Sequence, residues 1–239
     1  MFKLLNKKSF FNGWDNILVL ALSNVVFCAV ILGVIFWDFM PAFLILFLPF
    51  SFHMMGMNAV AHKWAYNRKA EISDYTQAIK NRFWHIILFY FILCLMFYSV
   101  SFAIPYYLLQ MGMIGMILGF ALLWLSLLCL AALMYYFPMA LEVATDSPFR
   151  TLKKCFILFF DNFTFSLKLL VKNAVDCALS VLTSFLLPGF TGISITNNNA
   201  VKFLMQMYSA EEGEEFLQED YLLMKDRNLR TLFTPWKNN

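Results

Sequence analysis

Charge is what this sequence is short of. Asp, Glu, Lys and Arg supply 14% of its 239 residues, against about 25% in an ordinary soluble domain. Between Arg82 and Glu142 there is none at all. A water-soluble globule of this length could not cover its surface so thinly. Patterned cysteine is lacking too. Cys28, Cys94, Cys129, Cys155 and Cys177 are odd in number and show no CxxC or Cys/His spacing, which speaks against a disulfide framework. Four of them lie in apolar stretches, where Cys behaves as a small hydrophobe. HExxH, GxxxxGK[ST] and GxSxG are missing, and with them the common metalloprotease, nucleotide and serine-hydrolase signatures. No paired catalytic groups, cofactor motif or metal-ligand set stands out, so the expectation is a protein that is not an enzyme. The net charge of +3 is small and the basic residues form no long patch, so nucleic acid is not expected as a partner.

What the chain has instead is apolar surface. It is 61% hydrophobic, with 28 Phe, 14 Met and 6 Trp. Such a surplus must face something other than water, and the lipid bilayer is the economical partner. A helix rises 1.5 Å per residue, so crossing about 30 Å of hydrocarbon takes roughly 20 residues. On that rule the expected fold is all-α, a polytopic membrane helix bundle of about five transmembrane helices with cytoplasmic amphipathic helices. The expected spans lie near 16–37, 39–61, 84–109, 113–137 and 177–195, followed by a polar, partly acidic tail over 196–239. The apolar run after Asp15 is too long for a signal-peptide core and no small-x-small site follows it, so it reads as a retained first span. The charge-free stretch from 83 to 141 would be about 90 Å long as one helix. Pro105 and the Gln110-Met-Gly-Met-Ile-Gly115 cluster supply a turn that divides it in two. Gly112, Gly115 and Gly119 serve that turn or close helix packing, and Pro138 ends or kinks the fourth span. In the acidic patch, Glu211, Glu212, Glu214, Glu215, Glu219 and Asp220 read as a solvated surface. The last stretch, Leu229 to Trp236, alternates apolar and basic residues and could return to the membrane surface.

The most ordered pattern follows Asp146-Ser147-Pro148, a helix start with Ser147 as cap and Pro148 at the first position. Arg150, Lys154, Asp161, Lys168, Lys172 and Asp176 are spaced by 4, 7, 7, 4 and 4, which on one helix gathers them in an arc of roughly 80°. The stripe is either interfacial, its lysines snorkelling, or turned into the bundle. Lys154, Asp161, Lys168, Lys172 and Asp176 are therefore candidate partner or substrate contacts. His53, within the second span, joins them because an ionisable residue inside a membrane is a functional candidate by default. Basic residues cluster before span one, over 62–82 and over 150–172, so the N-terminus is expected to be cytoplasmic. Five spans then put the tail outside; a sixth over 152–172 would bring it back inside. In the first charged loop, Ser73 is the expected cap of a short amphipathic helix. A weak parallel repeat is also visible. Span, amphipathic helix and Asn81-Arg82-Phe83 in one half are matched by span, amphipathic helix and Asp161-Asn162-Phe163 in the other.

Two stretches carry a resemblance. Glu71-Ile-Ser-Asp-Tyr-Thr-Gln-Ala-Ile-Lys-Asn-Arg-Phe83 is one, and Tyr136-Phe-Pro-Met-Ala-Leu141 with the Thr151-Leu-Lys-Lys helix and Asn162-Phe163 is the other. Together with the order of spans over residues 10–195, they resemble the YesL-type family of small bacterial integral membrane proteins of uncharacterised function. The acidic stretch at 210–220 departs from that pattern. The resemblance implies the bacterial cytoplasmic membrane, and an accessory or partner-binding role beside a carbohydrate-uptake transporter complex. The alternative is a small-solute transporter in its own right, with a path past Asp176 and His53.

Overall fold

The computed structural model describes residues 1–36, 40–183, 187–209, 213–225 and 227. Over these residues the chain is all-helical. Helix α1 (Phe2–Asp15) turns by 87° into α2 (Ile17–Phe36). α3 (Met40–Ala65) leads through a short loop to the amphipathic α4 (Ile72–Asn81). α5 (Phe83–Tyr98), a π-helical turn (Ser99–Ala103) and α6 (Ile104–Gln110) run on as one rod, and α7 (Gly112–Leu133) with α8 (Tyr136–Glu142) makes the next. Then come α9 (Pro148–Asp161), α10 (Phe163–Leu182), α11 (Gly189–Ser209) and α12 (Gly213–Lys225).

Prolines explain the two irregular rods. A proline inside a helix lacks its N–H and its ring meets the carbonyl four residues back. Pro105 faces residue 101, and the wider π turn over 99–103 accommodates it, as π bulges do. Pro105 therefore does not end the rod, which continues to Leu109. Pro138 faces Met134, where α7 gives way to α8. The glycines divide their work as well. Gly112 takes φ +61° at the turn, where a β-carbon would meet nothing within 4 Å. A β-carbon on Gly115 would stand 2.4 Å from the Tyr107 carbonyl, and one on Gly119 would stand 2.8 Å from Leu108. Those two let α6 and α7 approach.

Polarity is arranged outside-in. Leu18, Leu22, Trp84, Leu109, Met113 and Ile114 are each at least 70% exposed, while Ser23, Asn24, Ser51, Asn58 and Thr191 are buried. On α2 the inward stripe is Leu20, Ser23, Asn24 and Phe27, which is helical spacing with polar residues at its centre. Among the described residues, two stretches, Phe83–Leu109 and Gly112–Glu142, are long and apolar enough to cross a membrane, or three if Phe2–Asp15 and Ile17–Ala29 count as one bent span. The expected five are not reached on that criterion. The segment 177–195 is not one helix. α10 ends at Leu182 and α11 begins at Gly189, with part of the turn, 184–186, outside the described residues. Residues 196–209, expected in the tail, continue α11. Trp37–Phe39, Glu211, Glu212 and the stretch 229–236 also lie outside the described residues.

α11 is the central element, packed on α3 above all and also on α1, α2, α8 and α10. Its first turn reaches only part-way along its neighbours. The Pro188 carbonyl accepts from Asn24, the eighth residue of α2, and Phe190 packs on Phe27 and Phe50. Its other end meets α1 and the end of α3, and α12 folds back there. Both described ends of the chain therefore sit at one end of the bundle. The two halves also break alike. α4 ends at Arg82 (φ −113°, ψ 23°) before Phe83, and α9 ends at Asn162 (φ −116°, ψ 41°) before Phe163.

Candidate functional site

α3 ends in a Schellman turn. The Arg68 N–H donates to the Lys63 carbonyl and the Asn67 N–H to the Trp64 carbonyl, with Asn67 left-handed at φ 55°. This leaves the Ala65 carbonyl free, at the negative end of the helix dipole. Two buried ammonium groups take it. Lys8 of α1 donates at 2.7 Å and Lys202 of α11 at 3.1 Å. Both lysines then converge on Asp220 of α12, at 2.5 Å to Oδ1 and 2.8 Å to Oδ2. Lys202 also lies over the Tyr66 ring, 4.9 Å from its centroid. One carboxylate thus binds three helices to the end of a fourth. Burial alone would raise the Asp220 pKa, but the hydrogen bonds from Lys202 and Lys8 outweigh it and hold the group below its ordinary value. The Tyr66 hydroxyl donates to Glu142 at 2.5 Å. Burial, then Glu142, push the Tyr66 phenol well above its usual range. Arg82 donates to the Ala144 carbonyl at 2.6 Å, and Arg227 grips Asp15 through two bonds of 2.7 and 2.8 Å.

Sequence reasoning missed this cluster. In the sequence Lys8 bears only on orientation, nothing local marks Lys202, and Asp220 belongs to a stretch expected to be a solvated surface. The readable signal is short: Asp220 and Met224, one turn apart, are both buried, marking an inward face of α12. Of the acidic patch, Glu219 is exposed as expected.

A second polar group surrounds His53. Its Nδ1 meets the Tyr75 hydroxyl at 2.9 Å, and its Nε2 lies 3.1 Å from both the Ser23 hydroxyl and the Ser23 carbonyl. Ser23 continues to Thr191 at 2.8 Å. Asn58, Ser194 and Asn198 form a separate set of bonds between α3 and α11. At the basic end, Tyr75 lines a cavity of ≈ 820 Å³ together with Asn12, Trp64, Arg68, Glu71 and Arg227.

The charged stripe does not stay on one helix, because the break at Asn162 divides it. Lys154 closes on Asp146 at 2.6 Å, and Arg150 stands 4.0 Å from the same carboxylate. Asp161 and Lys168 are exposed. Lys172 and Asp176 pair at 2.5 Å, and Lys172 reaches Thr196 of α11 at 3.0 Å. That pair faces a groove of ≈ 520 Å³ between the α1–α2 elbow and the α10–α11 hairpin. The helix starts at Pro148 as expected, but no side-chain bond from Ser147 caps it. At α4 the cap position belongs to Glu71 rather than Ser73. The Glu71 N–H donates to Asp74 at 3.0 Å, and Ser73 donates to Glu71.

Compared with known protein families, with curated proteins and with solved structures, the chain has no match. Its chemistry must be read from its own residues. Among the described residues, no three His, Cys, Asp or Glu stand close enough together to hold a metal ion. The ionisable side chains are spent on one another. Lys8, Lys202 and Asp220 fasten helices, Lys154 and Lys172 are paired, and His53 is bonded through both ring nitrogens. Among the described residues, one surface open to the surroundings is the outer face of α9. Phe149, Lys153, Ile157 and Phe160 are exposed and fall within roughly 80° of arc. Thr151, Cys155, Leu158 and Phe159 are buried on the other side.

Proposed function

We propose that the chain is a multi-pass integral membrane protein of the bacterial cytoplasmic membrane that works as an accessory, partner-binding component linked to carbohydrate uptake. The observation that carries the docking role is the α9 face. Three large apolar side chains and a lysine line up outward on a helix fastened from behind. Phe149 is 71% exposed and Phe160 54%. Apolar anchors on a rigid support are what hot spots are made from. The membrane reading is supported by apolar residues exposed on α2, α5, α6 and α7 while Ser23 and Asn24 of α2 and Ser51 and Asn58 of α3 are buried, an arrangement suited to lipid. The carbohydrate link rests on the resemblance of 71–83 and 136–163 alone. For topology, α2, α3, α5–α6 and α7–α8 serve as four full crossings. α10–α11 is a hairpin that enters and leaves by the basic end, and both chain ends lie in the cytoplasm. An odd number of crossings would separate α1 from α12.

The test uses the tagged full-length chain, extracted in mild detergent from cells that also make a sugar transporter. The wild type should retain the transporter's membrane subunit. The triple variant Phe149→Ser, Lys153→Glu, Phe160→Ser should retain it at least about tenfold less. Recovery unchanged by those substitutions overturns the docking role. Lys154 and Lys172 are poorer targets, because each already serves a carboxylate of this chain.

One observation favours transport by the chain itself: the ≈ 820 Å³ cavity touches Tyr75, whose hydroxyl leads on to His53. The path envisaged past both His53 and Asp176 is less well supported. His53 leads to α11 through Ser23 at Thr191, and Asp176 through Lys172 at Thr196. Those two threonines are five residues apart, which is roughly 140° around a helix, so the two groups approach α11 on different faces. Sugar uptake by purified protein in liposomes, abolished by His53→Gln, would favour the transporter. No uptake by the wild type would leave the accessory role.

A further inference from the structure

The groove that holds Lys172 and Asp176 has a physical character unlike the other polar sites. Its walls are apolar, with Ile17 and Leu20 on one side and Leu179 and Leu187 on the other, and its volume is ≈ 520 Å³. That is within the range of specific small-molecule sites. The lip is made by Phe10 and Trp14 of α1, 48% and 39% exposed, with ring centroids 6.3 Å apart. Aromatic rings of this kind collect at the headgroup level of a bilayer. α1 is bent by 87° from α2, so if α2 crosses the bilayer α1 lies along its surface. The walls then run from headgroup level into hydrocarbon.

The charges in the groove are only partly used. An ammonium group has three donors, and Lys172 spends one on Asp176 Oδ2 and one on Thr196. Asp176 Oδ1 has no protein partner among the described residues. The two side chains are 20% and 15% exposed, and both line the groove. One free N–H donor and one free carboxylate oxygen therefore stand side by side, over an apolar slot. An anion alone would face the Asp176 charge, and a cation alone would face Lys172. A zwitterion with adjacent phosphate and primary ammonium satisfies both.

We propose that this groove is a binding site for a zwitterionic phospholipid with a phosphoethanolamine headgroup. Its phosphate accepts from Lys172, its ammonium donates to Asp176, and one acyl chain lies along Leu20, Leu179 and Leu187. The inference rests on the membrane reading. A phosphocholine headgroup carries no N–H for Asp176, and a phosphoglycerol headgroup offers hydroxyl donors but no cation, so its net negative charge stands against Asp176. Both should bind less well.

The test begins with alkaline carbonate extraction of membranes from cells making the full chain. It then equilibrates the purified protein with an equimolar mixture of phosphatidylethanolamine, phosphatidylcholine and phosphatidylglycerol carrying the same acyl chains. After the loosely held lipid is washed away, the retained lipid is counted by mass spectrometry. Wild type should hold close to one phosphatidylethanolamine per chain, enriched about tenfold over phosphatidylcholine, the factor that a single charge-assisted hydrogen bond supplies. The double variant Lys172→Met with Asp176→Asn should return the retained lipid to the mixture ratio. Leu179→Trp, which fills the slot and leaves the ion pair in place, should lower the amount held, so the inference does not depend on one variant folding. Lipid retained in the mixture ratio, enrichment of phosphatidylglycerol, or enrichment indifferent to both variants overturns it. Release of the chain by carbonate takes down the membrane reading and this inference together. A chain that stays in the membrane without the lipid preference takes down the inference alone.

Discussion

Replacing Asp220 with Asn asks whether one carboxylate holds α12 to the bundle. Asp220 accepts from Lys8 and Lys202 at 2.5 and 2.8 Å, and it is 1% exposed. Asparagine keeps the size and one acceptor oxygen but removes the charge, leaving two buried ammonium groups beside the Ala65 carbonyl with no counter-ion. Breaking a buried pair by removing one partner costs about 3–5 kcal/mol. Here one carboxylate answers two cations, which points to the upper part of that range. The loss will not appear as global unfolding. α12 packs on α1 and α11 alone among the stronger helix contacts, so it detaches first and caps the cost. Hydrogen exchange in detergent micelles should show the amides of 221–225 exchanging at least about a hundredfold faster than in wild type. α3 and the middle of α11 should keep their protection. Lys8→Met should loosen α12 less, because Lys202 still serves Asp220. The pH arm has a definite sign. The carboxyl's pKa is depressed below 3.8 when docked. Its contribution is therefore present above about pH 4 and is lost as the pH falls through the docked value. Protection of α12 should hold from neutral pH to about pH 4 and fail below it. Unchanged exchange in Asp220→Asn refutes the reasoning outright.

Three further outcomes follow from local geometry. A β-carbon on Gly56 would stand 2.2–2.5 Å from ring carbons of Tyr75, so Gly56→Ala should push α4 off α3 and cost about 1–3 kcal/mol, read as a lower thermal midpoint by circular dichroism. Tyr75→Phe removes the 2.9 Å partner of His53 Nδ1 without emptying the space; a loss of about 1–3 kcal/mol in the same assay is expected, and no change would mean that the ring nitrogen finds another partner. Asn67 holds φ 55° in the Schellman turn, so Asn67→Gly should be neutral or slightly stabilising, while Asn67→Val should cost about 1–2 kcal/mol; equal midpoints for the two would contradict the left-handed turn.

The parts that local sequence determines were legible. The charge-free stretch had to be two rods, because no single helix fits a bilayer at that length, and the break falls at Gly112 as the Gly-rich cluster indicated. Pro148 opens α9 where its fixed φ suits a first helical position. The pairing of Lys172 with Asp176 was readable from an i, i+4 spacing. What escaped were the consequences of contacts between distant segments. Lys8 and Asp220 are 212 residues apart, and nothing in a window of twenty residues can reveal that they meet. The Asp146-facing half of the charged stripe and the Asp176-facing half looked continuous, because 100° steps assume an unbroken helix. Asn162 ends that assumption.

α11 shows why hydropathy alone misplaced the tail. Its run Thr196-Asn197-Asn198-Asn199 reads as a polar exit from the membrane, yet all four residues are buried. Asn198 donates to Asn58, Asn199 to Ser9, and Asn197 accepts from Asn173. A polar side chain can be buried at small net cost once its hydrogen bonds are made by neighbours. Those neighbours sit on α3, α1 and α10, on polar positions that seemed incidental within apolar runs. Hydropathy sums each helix by itself, so it counts these residues as penalties several times over. Counted as pairs their amide N–H groups are answered, while the Asn173, Asn198 and Asn199 side-chain oxygens are buried without a protein partner among the described residues, and a helix too polar to stand alone in lipid becomes the one around which the bundle is assembled.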